Sequence, residues 1–337
     1  MNKRFFVLYA CCIPVKGFTR SLVCDVQRGS FKLIPNELEQ ILTKQHPCDV
    51  EAIKAHHAAG DHETLDEYFE FLTTHEYGFW TDHPERFPAL DLTYQTASSI
   101  TNAIIDVDQD SHHDYELIFD QLEFLGCKDL QIRCYAEVAT KELEQMLRKL
   151  ASRRIKSVEL LLKYSNLYVE QYYQLPLQFG RLVSLVLHTS PKNRVIQSAQ
   201  EGHCQIIELQ QAISDETHCG QISPLYFSLN LPTFIEAKNH NSCLNRKISI
   251  DKAGNIKNCP SMTKSFGHVH EQSLLDIVQK EDFKKLWNIS KDEVEICQDC
   301  EFRYICTDCR GYTKKGSGSS YGKPQKCTYD PYKGEWE

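Results

Sequence analysis

Seven of the fifteen cysteines lie from Cys243 onward, and their spacing is regular enough to do chemistry. Cys243, Gly254 and Cys259 form a C-x10-G-x4-C unit. Cys297-x2-Cys300-x5-Cys306-x2-Cys309 follows, and Cys327 closes the array. A C-x2-C turn folds back on itself, aims two thiolates at one centre and lets backbone N–H groups donate to the sulfurs. One such pair is a weak signal, but two pairs flanked by further cysteines specify a ligand set. Zinc held by cysteine alone takes four thiolates, so two closed zinc sites need eight ligands where this array supplies seven. Iron–sulfur clusters accept an open or non-cysteine position, so four plus three suits them. The count favours iron–sulfur over structural zinc; His268 and His270 read first as solvated or locally hydrogen-bonded, with completion of the three-cysteine set as the lesser alternative.

Other motifs offer weaker chemistry. Asp106, Asp108 and Asp110 alternate like the start of a calcium loop, but Ser111 stands where such a loop needs glycine and Leu117 where it needs a bidentate Glu. His112, His113 and Asp114 follow a predicted strand, where a barrel builds its active site; the plainer reading is a solvated helix N-terminus. Gly322-Lys323 runs into Pro324 and has Ser317 where a phosphate loop requires glycine, so ATP is not expected as a ligand. His56 and His57 read as solvated.

The elements that must carry the array belong to an ordinary soluble protein of 337 residues, 41% hydrophobic and 25% charged, enough for two or three domains. Lys and Arg total 38 against 46 Asp and Glu, a net charge of −8, which excludes the basic stripe of a nucleic-acid binder. Thiols in metal-ligand spacing imply a reducing compartment, hence the cytoplasm. Lys3-Arg4 and the apolar run 5–15 imitate a secretory signal. Pro14 and Lys16 interrupt that run and it is too short to span a bilayer, so it reads as a buried strand with no membrane partner.

Residues 5–15, 21–26 and 31–34 have strand composition, and 36–42, 49–57 and 64–73 have helical periodicity. Together they make a small α+β module over 1–85, with 80–92 as a linker. Strands at 100–107, 130–135, 158–162 and 182–187 alternate with helices at 114–125 and from Thr140, where Leu143, Met146, Leu147 and Leu150 share a face. Such βα repeats predict a parallel sheet, a barrel or part of one, over 86–240. The segments 205–213 and 225–231 continue the pattern less clearly. The cysteine-rich domain takes 241–337, with a Gly/Ser/Lys-rich loop at 314–322 that returns Cys327 to the array.

The cysteine order resembles the SPASM domain, the extension that carries auxiliary 4Fe-4S clusters in radical S-adenosylmethionine peptide maturases. Cys306 and Cys309 are separated by two residues where that pattern has three. The resemblance implies Cys297, Cys300, Cys306 and Cys327 as ligands of a distal cluster, and Cys243, Cys259 and Cys309 as three ligands of a proximal one. Val15-Lys16-Gly17, Cys24-Asp25, Ile34-Pro35, Glu76-Tyr77-Gly78-Phe79-Trp80, Thr101-Asn102-Ala103-Ile104-Ile105-Asp106 and Cys300-Glu301-Phe302-Arg303-Tyr304-Ile305-Cys306-Thr307-Asp308-Cys309-Arg310 extend the likeness to nearly the whole chain. On these the sequence resembles the grasp-with-spasm system SPASM-domain peptide maturases. That resemblance implies an α/β fold with a partial (β/α) barrel of radical-SAM type, a winged-helix-like peptide-recognition module at 1–85 and one or two 4Fe-4S clusters. It also implies two partners, a ribosomal precursor peptide and an ATP-grasp ligase. The precursor would add a strand at an edge offered by 21–26 or 31–34. A radical enzyme of this type needs C-x3-C-x2-C after its first barrel strand, and Asp108-Gln109-Asp110-Ser111-His112-His113-Asp114 holds no cysteine. S-adenosylmethionine is therefore not expected, the catalytic residues are unassigned, and a maturation factor is the leading function. A redox enzyme acting on the peptide and a zinc-stabilised binding module are the alternatives.

Overall fold

The computed structural model describes residues 4–197, 204–313 and 320–337. In it the N-terminal apolar run is two strands, not one. β1 (Phe5–Leu8) ends at a turn in which Cys12 N–H donates to the Tyr9 carbonyl. β2 (Cys12–Val15) then pairs with β3 (Ser21–Asp25), which pairs with β4 (Ser30–Ile34), in an antiparallel sheet of order β2-β3-β4. Helices α1 (Asn36–Lys44), α2 (Val50–Ala55) and α3 (His62–Thr74) follow, and β5 (Gly78–Thr81) returns to pair with β1. The expected linker thus begins with a strand, because β1 turns away from the three-stranded sheet and leaves its own edge to be satisfied.

All five residues of β3 are buried, and period-2 alternation sends them to two cores. Val23 joins Leu38, Ile41, Phe69 and Leu72 from the helices. Leu22 and Cys24 point the other way, into a core with Phe302, Tyr304, Ile305 and Tyr329 from the cysteine-rich end. The N-terminal sheet is therefore a layer between its own helices and the cysteine array.

The βα repeats build the predicted parallel sheet from β6 (Asn102–Val107), β7 (Asp129–Cys134), β8 (Ser157–Lys163) and β9 (Leu182–His188). Helices α4 (Tyr115–Phe124), α5 (Thr140–Lys149), α6 (Val169–Tyr172) and α7 (Leu175–Gln178) fill the gaps. Asp114 caps α4 by accepting from Leu117 N–H at 3.1 Å. Thr140 does not cap α5. It already lies inside the helix, after Ala139, with its buried hydroxyl lacking a partner. Of 205–213 only β11 (Gln205–Glu208) is a strand; it pairs parallel with β9 and antiparallel with β10 (Arg194–Gln197). Of 225–231, only the end enters an α-helix, α8 (Leu231–Asn239), which Asn230 caps.

The cysteine-rich region then contributes to the same sheet. β12 (Lys247–Ile250) lies parallel to β6 and forms a hairpin with β13 (Ile256–Lys257), giving an eight-stranded order β10-β11-β9-β8-β7-β6-β12-β13. Short helices α9 (Leu274–Gln279) and α10 (Glu281–Lys284) and the hairpin of β14 (Tyr329–Asp330) and β15 (Glu335–Trp336) complete a mixed α/β fold with one large, mostly parallel sheet. Residues 314–319 of the expected flexible loop lie outside the described residues. Among the described residues no helix is long and apolar enough to cross a membrane.

Candidate metal centre

The turn carrying Cys243 follows α8 and is organised by Asn241, which is fully buried. Its Oδ1 accepts from the N–H groups of Cys243 and Leu244 at 3.0 and 2.8 Å, and its Nδ2 donates to Asp308 Oδ2 at 2.8 Å. Ser242 adds a bond from its hydroxyl to the Cys306 carbonyl and accepts from Asp308 N–H. This polar knot ties Cys243 to the loop of Cys306 and Cys309. Cys259 reaches the same place from the other side, just after β13. The hairpin that delivers it turns at Gly254, whose φ of +85° and 2.5 Å approach of a virtual Cβ to His268 Nε2 exclude a side chain. The glycine of C-x10-G-x4-C is therefore a packing requirement of the hairpin.

Cys243, Cys259 and Cys219 all lie within electrostatic reach of the Lys247 ammonium, whose Nζ is 3.6 Å from Cys243 Sγ. Burial works against that ammonium, and the three thiols outweigh it. Cys309 faces the same group, interacting with Cys243 and Cys219. Cys297, Cys300, Cys306 and Cys327 instead line a second cavity, with Lys291 and Tyr329 in its wall. Lys291 is 3% exposed and donates to the carbonyls of Cys306 and Arg303. The two C-x2-C pairs thus behave differently. Cys297 and Cys300 share a cavity, whereas Cys306 and Cys309 point to opposite sets, each set with its own lysine.

Burial pushes the Cys259 and Cys297 thiols up to about 12 and raises those of Cys300, Cys306 and Cys309. Thiols so placed are poor nucleophiles, and a bound metal is what would ionise them. Among the described residues, the three cysteine, histidine or carboxylate donors that come within 4.8 Å of one another are Cys11, Cys12 and Asp25. No three of the seven motif thiols come within 4.8 Å of one another among the described residues. Asp25 is committed to its turn, accepting from Gln27 and Arg28 N–H.

Residues 242–301 match the SPASM family, an iron–sulfur cluster-binding domain. The chain carries this domain at its C-terminal end. Solved structures similar to the chain include Streptococcus suis SuiB at 11% identity, covering 96% of this chain and 100% of that one, with a TM-score of 0.40. SuiB bound to S-adenosylmethionine gives 10% identity, 95% and 99% coverage and a TM-score of 0.36. SuiB bound to precursor peptide SuiA gives 8%, 96% and 100%, and 0.41. No curated protein matches the chain.

Two secondary readings of the sequence are not met, and the plainer ones hold. His268 packs on the Gly254 turn and its Nε2 pairs with the Ala253 carbonyl at 2.9 Å, while His270 lies near the His112 carbonyl, so neither sits among the thiols. His112, His113 and Asp114 are the helix N-terminus of the plainer reading: His113 Nε2 pairs with the Asp106 carbonyl and Asp114 caps α4. Asp108 holds its own turn, accepting from Asp110 N–H and Ser111 Oγ.

Sequence reading missed two features. The first is Cys219, which no motif contains. The second is a cavity of about 200 Å³ on the sheet, with Arg133, Tyr135, Glu159, Asp215, His218 and Cys219 in its wall. Beside it Arg133 makes a bidentate pair with buried Asp106 at 2.6 and 2.8 Å, and Tyr135 donates to Asp106 Oδ2 at 2.9 Å. Three charged or polar groups from neighbouring strands are thus locked together where β6 ends. Period-2 alternation could have placed Asp106, Arg133 and Tyr135 on one sheet face, but not their contact.

Proposed function

We propose that the protein is a cytoplasmic maturation factor for a ribosomally synthesised peptide, binding the precursor and acting with an ATP-grasp ligase. In this reading 1–85 is the winged-helix-like recognition module, 86–240 a partial barrel of radical-SAM type, and 241–337 the auxiliary-cluster domain. Cys297, Cys300, Cys306 and Cys327 hold a distal 4Fe-4S cluster, and Cys243, Cys259 and Cys309 a proximal one. When bound, the clusters supply electron transfer and cross-link the loops that carry them. The ligase partner rests on the family resemblance.

One observation supports peptide binding above the rest. β4 has an unpaired outer edge among the described residues, on a sheet whose inner face roofs the distal thiol cavity. Phe31 of β4 meets Phe302, beside Cys300, edge to face with ring centroids 5.9 Å apart. β3 is the central strand, so it cannot be the receiving edge. β2 is the other edge, but Pro14 removes a donor there and Phe87, Pro88, Leu90 and Leu92 line the groove beside it. An extended peptide on β4 would gain main-chain bonds and lie along exposed Leu33.

A titration tests this. Successive N–H groups of a strand point to opposite sides, so one of Lys32 and Leu33 offers its N–H outward. With a fluorescent precursor and the full chain, proline at the outward position should weaken binding at least tenfold and leave iron content unchanged. Equal affinity in both proline variants would reject the edge.

The alternative, a redox enzyme acting on the peptide, is favoured by the cavity that ends at Cys219. Reductant, protein and precursor without ligase should leave the precursor mass unchanged. A mass change would favour the redox reading. S-adenosylmethionine should give no 5′-deoxyadenosine above a protein-free control, since no C-x3-C-x2-C follows β6.

A further inference from the structure

We propose that Cys219 is the fourth thiolate of the proximal site, so that both clusters are coordinatively closed and neither offers an open iron to a ligand in the sheet cavity. This deepens the cluster reading above and rests on it. Cys219 lies outside the SPASM match, in the connector between β11 and α8.

Three independent contacts bring that connector to the site. Gly220 has φ of +80°, and a Cβ built there would stand 2.7 Å from Cys309 Sγ, so the backbone beside Cys219 is pressed against a thiol of the proximal set. Tyr312 Oη and Ser261 Oγ both donate to the Glu216 carbonyl, at 3.3 and 3.2 Å. Lys326 Nζ donates to the carbonyls of Thr217 and Cys219. The connector is therefore fixed from three separate points, next to Cys259, Cys309 and Cys327 in the chain. Its thiol shares the electrostatic neighbourhood of Lys247 with Cys243 and Cys259, and that of Cys309.

Closure assigns a task to each set. With Cys219 the thiols number four and four, and each group has one lysine ammonium beside it, Lys247 or Lys291, to offset the negative charge of a thiolate-ligated cluster. Cys219 also forms part of the cavity wall. The cavity thus meets the proximal site through a ligand sulfur. Electrons can cross there, whereas a substrate carboxylate or amine finds no vacant iron.

The experiment compares wild-type protein with Cys219→Ala and Cys219→Ser, each reconstituted anaerobically as the full chain, with cyanide as the probe of an open iron. Iron and sulfide are counted, and EPR spectra of reduced samples are recorded with and without cyanide. Wild type should give spectra that cyanide does not alter. The variants should keep the distal signal and show a proximal signal that is lost, converted to a three-iron form or shifted by cyanide. Since a variant could fail to fold, iodoacetamide mapping is done on wild type as well: Cys219 should be protected when loaded and modified after iron removal. A cyanide-sensitive wild type, a fully loaded Cys219→Ala with the wild-type spectrum, or free alkylation of Cys219 in loaded wild type would overturn the assignment. Wild type without iron and sulfide would overturn the cluster reading itself.

Discussion

The two thiol sets differ in what surrounds them. The distal set is enclosed by three layers that are distant in sequence: the sheet β2-β3-β4, the loop 297–309 and the C-terminal hairpin. Polar contacts bind these layers. Arg20 Nε donates to Glu301 Oε1 at 2.9 Å, Tyr329 Oη donates to the same oxygen at 2.5 Å, and Phe18 N–H donates to the Asp299 carbonyl at 2.8 Å. The proximal set instead sits at the end of the large sheet, beside β12, with Cys219 facing a cavity of mixed polar and aliphatic lining. One site is built into an interface; the other looks into a space. On the proposed reading, a cluster in the distal set matters most to architecture and one in the proximal set to exchange with the cavity.

Removing one ligand from each set gives the largest contrast. Cys297→Ala and Cys259→Ala should each lose about half of the iron. Only the distal variant should expose 1–85 to rapid proteolysis, because metal binding there contributes folding free energy to the packed layers. Equal protection of 1–85 in both variants would break the contrast.

A next test lies on the cavity side. Arg133→Met leaves the buried Asp106 carboxylate without its cationic partner and with the Tyr135 hydroxyl as its remaining donor, which should cost about 3–5 kcal/mol in denaturant unfolding. The distal interface should feel a smaller loss. Glu301→Gln removes the charge that Arg20 and Tyr329 bond, at about 1.5–3 kcal/mol, and should speed cleavage of 1–85 while leaving the EPR signal of the proximal cluster unchanged.

The smallest effect is titration. Burial holds His113 and His188, both in the large sheet region, below their ordinary value. As pH falls the unfolded chain takes up protons first, so their contribution is fully present above about pH 6.5 and declines below it. His113→Gln should flatten the loss of stability between about pH 7 and 5, measured by chemical denaturation.

The cysteine array was legible in the sequence because its spacing is local, and so were the βα repeats, whose apolar runs are long and uniform. Contacts between distant segments were not. Nothing in 5–15 signals that the chain turns at Tyr9, since both resulting strands are apolar. Nothing near Lys247 signals that β12 joins β6, a pairing of residues far apart in the chain. Cys219 was invisible for the same reason. It has no neighbouring cysteine in sequence, and only the connector's attachment through Glu216, Gly220 and Lys326 brings it to Cys309.

Both sides of the comparison depend on what the thiols hold, and metal and sulfide analysis of anaerobically reconstituted protein answers that directly. Two 4Fe-4S clusters predict about eight irons and eight sulfides per chain, broad absorption near about 400 nm and no zinc. Stoichiometric zinc without sulfide would contradict the account.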